Sequence, residues 1–348
     1  MHIAKPWGQE IWYTGIEARG QAGVQGEGGD IPLPWLLELM SGRIGMADER
    51  QPILLKVLDP LADEVYGDLY FELHEEKQEV YVVTHIDQKA WPEGIGAIQL
   101  GFAAQEHYQT SDEFKQAYLA AVREYEHVRR LVDNKLDEKK AALGIDPHQP
   151  VPASQVIDWI NELSQAYENK DLFYSEEKLR QTMNSFVAHR TLVVGDVVTV
   201  PKLVPHALQH GVRVIEFQTP VYERKILSFA QKVLTQPHWD TEVALGAADM
   251  DFAQLQPPEC LIDAPQLLVE RIVNFEDFEV RRIQLDGTYL LSSNYYSVLI
   301  VVQGSLSLNT AGKTNYFEAG QALLIPKTEN NWSISSAAPC IFLLASPH

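Results

Sequence analysis

The stretch FELHEEKQE, residues 71–79, sets Glu72, His74 and Glu79 around a short charged turn. On a β-strand successive side chains point to opposite faces, so Glu72 and His74 share a face. Glu79 opens the next apolar run, EVYVVTHID (79–87), where it can turn back toward them. The flanking segments ILLKVLD (53–59), DLYFELH (68–74) and AIQLGF (97–102) are short and rich in Val, Ile, Leu and Tyr. Gly, Pro or charged residues bound each of them, which predicts consecutive β-strands.

Beyond residue 110 the period changes. In residues 111–144, Phe114, Tyr118, Val122, Tyr125, Val128 and Val132 recur at steps of three and four, predicting a helix with Ser111 as its cap and Gly144 as its stop. DPHQPVP (146–152) is a Pro-rich connector, and residues 154–169 and 175–190 are two further helix candidates. Strands return at TLVVGDVVTVP (191–201) and RVIEFQT (213–219). After the loop QLQPPEC (254–260) a second strand-rich region runs from about Gln266 to the C-terminus. A weak repeat links the two β regions. Gly195 and Pro201 in GDVVTVP are spaced as Gly320 and Pro326 in GQALLIP, and the same step onward reaches His206 in one copy and Asn331 in the other. EVYVVTHI also overlays SVLIVVQG (297–304), setting Glu79 against Ser297. Two β barrels on one plan, only the first with metal-ligating residue types, account for this pattern.

The chain has 348 residues, enough for two to three domains at about 150 residues each. With 45% hydrophobic and 22% charged residues it is globular, and its two cysteines are too few for a disulfide framework or a thiolate zinc site. No signal peptide or membrane-length apolar run is evident, so a cytoplasmic location is expected. A net charge of −20 argues against nucleic-acid or anionic-membrane partners. An anionic small substrate would need a local gathering of basic residues.

His206, in VPKLVPHAL (200–208), follows a strand and can close a set with Glu72, His74 and Glu79. Two carboxylates and two imidazoles suit Zn²⁺ or another borderline divalent ion. A solvated acidic turn and a loop histidine would read the same way from spacing alone.

At these residues the chain resembles the cupin superfamily. Glu72, His74 and Glu79 keep the ligand spacing of its first motif. Gly195, Pro201 and His206 keep that of its second, with Leu203 in place of a glycine and His210 in place of an asparagine. Among cupins it resembles the type I mannose-6-phosphate isomerases, in KPWG (5–8), in ILLKVLD, in Lys77-Gln78-Glu79, in VPKLVPHA and in Glu216-Phe217-Gln218 with Arg224 downstream. It departs from that family in having Glu72 where a glutamine is usual, and in reducing the loop after His74 to Glu75 and Glu76.

The resemblance implies a mainly β, bicupin fold of two jelly-roll-type barrels with a helical insert. The first barrel would comprise residues 1–102 plus 191–255, the insert 103–190, and a metal-free second barrel 256–348. It implies one divalent metal, zinc, on Glu72, His74, Glu79 and His206, and interconversion of mannose 6-phosphate and fructose 6-phosphate. Glu216 is then the candidate base, with Lys77 stabilising the developing oxyanion and Arg224 acting on the reacting oxygens or on a phosphate. A surface carboxylate, a solvated turn lysine and a salt bridge to Glu223 are the plain alternatives for these three residues. Trp7 is a candidate pocket wall, and the insert a candidate lid, packing domain or dimer contact. An isomerase of another sugar and a non-catalytic sugar-binding cupin are the rival functions, and the oligomeric state stays open.

Overall fold

A computed structural model describes all residues except 18–19, 27, 47–50, 104, 147–148, 150, 253–256, 311 and 328–331. Asn331, the first three residues of the QLQPPEC loop and parts of the DPHQPVP connector therefore lie outside the described residues. The chain opens with strands β1 (His2–Lys5), β2 (Gly8–Trp12), β3 (Gly23–Gly26) and β4 (Gly29–Pro32), then helix α1 (Leu33–Ile44). Strands β5 (Leu54–Pro60), β6 (Phe71–Leu73), β7 (Glu79–Ile86) and β8 (Gly96–Phe102) follow where the sequence predicts them. Next come helices α2 (Ser111–Ala142), α3 (Ala153–Gln165) and α4 (Lys170–Asn184). Strands β9 (Val187–Leu192), β10 (Val197–Val200), β11 (His206–Leu208), β12 (Val212–Gln218) and β13 (Lys225–Ser228) lead to helix α5 (Thr241–Ala247).

These strands form two antiparallel sheets, ordered β1-β2-β5-β12-β7-β10 and β13-β6-β11-β8-β9. Because β8 pairs directly with β9, the three long helices are spliced between neighbouring strands. The sequence expectation needs three adjustments here. Thr110, rather than Ser111, caps α2, its side chain accepting from the Glu113 amide. Helix α4 starts at Lys170 and stops at Asn184, and Val187–Leu192 is a strand whose alternating burial fits the second sheet better than a helical turn would. The buried stripe of α2 also runs from Tyr125 to Arg129, leaving Val128 half-buried.

Residues from Glu259 onward fold into a second pair of antiparallel sheets, of six and four strands. Its largest strands repeat the plan of the first pair. In one copy Glu79 on β7 pairs with Val200, just before Pro201; in the other Ser297 pairs with Ile325, just before Pro326. Gly195 donates to the Val83 carbonyl and Gly320 to that of Val301, both glycines at positive φ, which only glycine adopts at little cost. The weak repeat thus marks a shared strand-turn-strand geometry.

The two six-stranded sheets lie back to back. Leu55, Val57, Val80, Val82, Ile215 and Phe217 from the first pack in one buried cluster with Ile272, Phe278, Val280, Val298, Ile300 and Leu343 from the second. Strand alternation then sends Lys56, Leu58, Glu79, Tyr81, Val83, Val214, Glu216 and Gln218 to the inner face of the first sandwich. There Leu58, Val83 and Val214 join the core of that sandwich, leaving the polar members at one end. Among the described residues no helix is long and apolar enough to cross a membrane.

The KPWG stretch joins β1 to β2 against β5. Gly8 sits at φ 148°, and a Cβ there would lie 2.3 Å from the Asp59 carbonyl oxygen. Gly8→Ala is therefore expected to cost about 1–3 kcal/mol of stability, as a backbone forced from its preferred conformation does. Urea unfolding would measure it, and an unshifted midpoint would show that the β2–β5 pair relaxes freely.

Candidate metal centre

Strand β6 aims Glu72 and His74 into the first sandwich, while Leu73 between them is fully buried in the core. The Leu203 amide donates to the His74 carbonyl at 2.7 Å, fixing the residue just past the strand end. Leu203 holds φ 66°, a left-handed conformation, at the position where the second cupin motif has glycine. The motif's glycine is thus a backbone requirement that this chain meets with a strained leucine.

His206 pairs directly opposite Glu72 across β11 and β6. Its Nδ1 lies 3.1 Å from the Val204 carbonyl, which fixes that nitrogen as the donor and leaves Nε2 with a lone pair. Donor atoms of Glu72, His74 and His206 fall within 4.8 Å of one another, the one such group of three among the described residues. Glu79 completes the ring: its Oε1 is 3.4 Å from His74 Nε2 and its Oε2 is 3.2 Å from His206 Nε2. His74 Nε2 lies 3.8 Å from Glu72 Oε1. Two ligands about 2.1 Å from a shared tetrahedral ion stand about 3.4 Å apart, so the spacing fits. Both ring nitrogens of His74 and the Oε2 of Glu72 are buried with no hydrogen-bond partner among the described residues. A cation fits the Glu72 oxygen and one of these two nitrogens, the unprotonated one, and buried polar atoms of this kind call for a partner.

Electrostatics agree with that assignment. Burial, helped by Lys77, holds the His74 imidazole well below its ordinary pKa, in the neutral form a ligand needs. Burial opposes ionisation of Glu79, but the Lys77 ammonium beside it outweighs that and keeps its pKa well below the usual carboxylate range. Lys77 Nζ is 2.7 Å from Glu79 Oε1, and the Tyr81 hydroxyl donates to Glu79 Oε2 at 2.6 Å. Both Glu79 oxygens are therefore held, one by Lys77, which also lines the cavity, and one by Tyr81.

The remaining predicted residues face the same cavity, of about 530 Å³, with Trp7 in its wall. Glu216 is 3% exposed, opposite Lys56 and Tyr81 on the neighbouring strands, with Lys56 Nζ 3.8 Å away. Burial pushes its pKa up to about 8, against the pull of Lys56. Arg224 lies 3.8 Å from Glu72, stacks over Tyr70 and donates to Thr235; Glu223, the alternative partner considered for it, instead accepts from the Glu76 and Lys77 amides. His210 lies apart, bonded to Asp68 and stacked on Trp91. Ser297, the second-sandwich counterpart of Glu79, is buried and bonded to Ser346.

Sequence reasoning passed over Lys5, Glu10, Lys56 and Gln218, which extend the polar row. Lys5 pairs with Glu10 at 3.1 Å, and Lys56 donates to Gln218 at 2.5 Å. The signal was present for Lys56, a lone cation inside the apolar run ILLKVLD.

Residues 269–344 match the family model described as mannose-6-phosphate isomerase, cupin domain. Over 99% of its length the chain superposes on mannose 6-phosphate isomerase from Bacillus subtilis, covering 97% of that protein with a TM-score of 0.68 at 15% identity. The chain has the fold of the mannose-6-phosphate isomerases. A point mutant of phosphomannose isomerase from Salmonella typhimurium agrees, with a TM-score of 0.57 at 16% identity over 99% of this chain and 93% of that one. No curated protein matches the chain in sequence. The likeness to mannose-6-phosphate isomerases read from KPWG and the histidine motifs thus holds for the architecture and for the matched C-terminal domain.

Two outcomes follow from this geometry. His74→Ala and His206→Ala should each abolish the binding of a single equivalent of zinc, read by elemental analysis; full metal content in both would place the ion elsewhere. In the metal-free protein Glu216 keeps its proton up to about pH 8, whereas the unfolded chain loses it near the ordinary value of 4.5. Between those values the folded state binds the extra proton, so this group lowers stability as pH rises. Glu216→Gln should therefore gain in urea midpoint over the parent at about pH 8.5 relative to about pH 5, and a constant difference would refute the assignment.

Proposed function

We propose that this protein is a metal-dependent aldose–ketose isomerase, interconverting mannose 6-phosphate and fructose 6-phosphate in the cytoplasm with zinc on Glu72, His74, Glu79 and His206. The observation that supports it most directly is the pairing of orphaned, buried Glu72 and His74 acceptors with a protonatable Glu216 in one cavity. The proposed domain division keeps this cavity in the first sandwich, completed by the insert.

The reaction moves a proton between adjacent carbons while a hydroxyl and a carbonyl exchange places. When bound, a divalent ion polarises the carbonyl and hydroxyl oxygens as a Lewis acid. Glu216 is the proton carrier: burial raises its carboxyl above the ordinary range, to about 8 in the metal-free protein, so that it holds a proton as readily as it gives one up, as the shuttle demands. Lys56 supports its anionic form between the two transfers. Arg224, beside Glu72 at the cavity wall, offers fixed donors to the substrate oxygens. Lys77 and Tyr81 act through Glu79, holding both its oxygens in place. Trp7 contributes an apolar wall and helps to exclude water.

A coupled assay on mannose 6-phosphate with zinc-loaded protein tests the reading, and absence of turnover would sink it. Glu72→Gln sharpens the test. Removing that carboxylate lowers the negative charge at the metal, so the variant should hold zinc more loosely while keeping or raising kcat and lowering KM for the phosphosugar. A raised KM at unchanged zinc occupancy would instead show that Glu72 touches the sugar.

A further inference from the structure

The segment from Val200 to His206 reaches all four proposed ligands. At its start Val200 on β10 pairs with Glu79, and at its end His206 on β11 pairs with Glu72. Between them the Leu203 amide donates to the His74 carbonyl at 2.7 Å, and His206 Nδ1 donates to the Val204 carbonyl at 3.1 Å. Glu79 and Glu72 are thus set by strand pairing, His74 through its backbone and His206 through its ring. The first three ligands sit on or beside β6 and β7, and this segment ties them to the fourth.

Leu203, in the middle of the segment, is the one non-glycine residue at positive φ among the described residues. An L-residue is strained in this conformation, and such strain persists only where the surroundings over-determine it. Here both backbone groups are engaged, the amide by His74 and the carbonyl by the Asp249 amide at 2.9 Å. The side chain packs against the core of the first sandwich, as do Met250 and Phe252 just beyond Asp249. Gln105 in turn donates to the Met250 carbonyl, so the piece of chain that meets Leu203 is itself fixed. Glycine would reach the same backbone conformation without strain, yet it would reach others as readily and leave the core contact unmade. The leucine is strained, but it is bonded on both sides and anchored in between.

We propose that Leu203 is a positioning residue for the metal centre. Its side chain, seated in the core, holds the turn in the orientation that aims the Val204 carbonyl at His206 and ties His74 to the same turn. The inference rests on the metal reading above in taking these histidines as ligands; the clamp rests on the turn's own bonds. Leu203 lies outside the cavity wall, so it acts through the histidines rather than on a substrate. Groups that orient a ligand in this way set metal affinity, and losing one costs about 10- to 100-fold.

The zinc affinity of the full chain, stripped of metal and titrated against a competing chelator, tests this. Leu203→Gly, which relieves the strain and removes the anchor, should weaken zinc binding about tenfold or more. Leu203→Met, of similar volume, should keep the affinity of the parent. A role in stability alone would lower the urea midpoint of the metal-free Leu203→Gly protein and leave the zinc affinity of its folded state unchanged; that outcome overturns the proposal. Tighter zinc binding in Leu203→Gly overturns it too, as does an equal loss in Leu203→Met, whose side chain can fill the same place. If Leu203→Gly does not fold, Leu203→Asn replaces it. Asparagine accepts the left-handed conformation without supplying an apolar anchor, and the same weakening is expected. Should the parent bind no zinc, the metal reading falls, and ¹⁵N NMR of the His206 ring decides the clamp in the metal-free chain. A proton fixed on Nδ1 in the parent and shared with Nε2 in the variant upholds it, and the same ring state in both proteins removes it.

Discussion

The back-to-back packing of the two six-stranded sheets is the constraint on which the site depends. Once Leu55, Val57, Val80, Val82, Ile215 and Phe217 are committed to the second sandwich, strand alternation leaves no choice for their neighbours. Lys56, Glu79, Tyr81, Glu216 and Gln218 must face inward, in register across β5, β12 and β7. A one-residue slip would bury those charges against the partner sheet and expose the apolar set. The apolar face therefore fixes the polar row more firmly than any contact within the row does.

Within that frame the charges hold each other. Glu79 is gripped by Lys77 and Tyr81, Glu216 faces Lys56, and Glu10 accepts from Trp12 and pairs with Lys5. Buried ions of this kind gain little net stability, since desolvation offsets attraction. Their value is positional: donors and acceptors are already oriented before a ligand arrives, so little reorganisation remains to be done at the reacting atoms.

Much of this was legible in the sequence because it follows from short-range periodicity. Alternation put Glu72 and His74 on one face, and the spacing of Gly195, Pro201 and His206 brought the histidine to the same wall. The long helix was evident, yet its phase drifted by one residue at Val128, where the apolar pattern gives way to the buried Arg129. No periodicity rule anticipates a buried arginine, because its burial depends on Asp133 and on the Ala230 carbonyl, about a hundred residues away in the chain. Lys77 was legible as a site residue, but its position in a charged turn suits a solvated lysine equally, and only the fold of the turn brings the amine to Glu79. Lys56 gains its meaning only from partners supplied by a distant strand.

The shared cluster between the sheets also bears on how the chain is made. The strands of the first sandwich emerge from the ribosome well before residues 272–345, which supply the other half of that cluster. During synthesis the nascent chain presents a broad apolar sheet to water, and such surfaces recruit chaperones or aggregate. The second sandwich thereby serves the first as a built-in cover, arriving last, and a chain released without it would seek a substitute for its missing half in neighbouring copies.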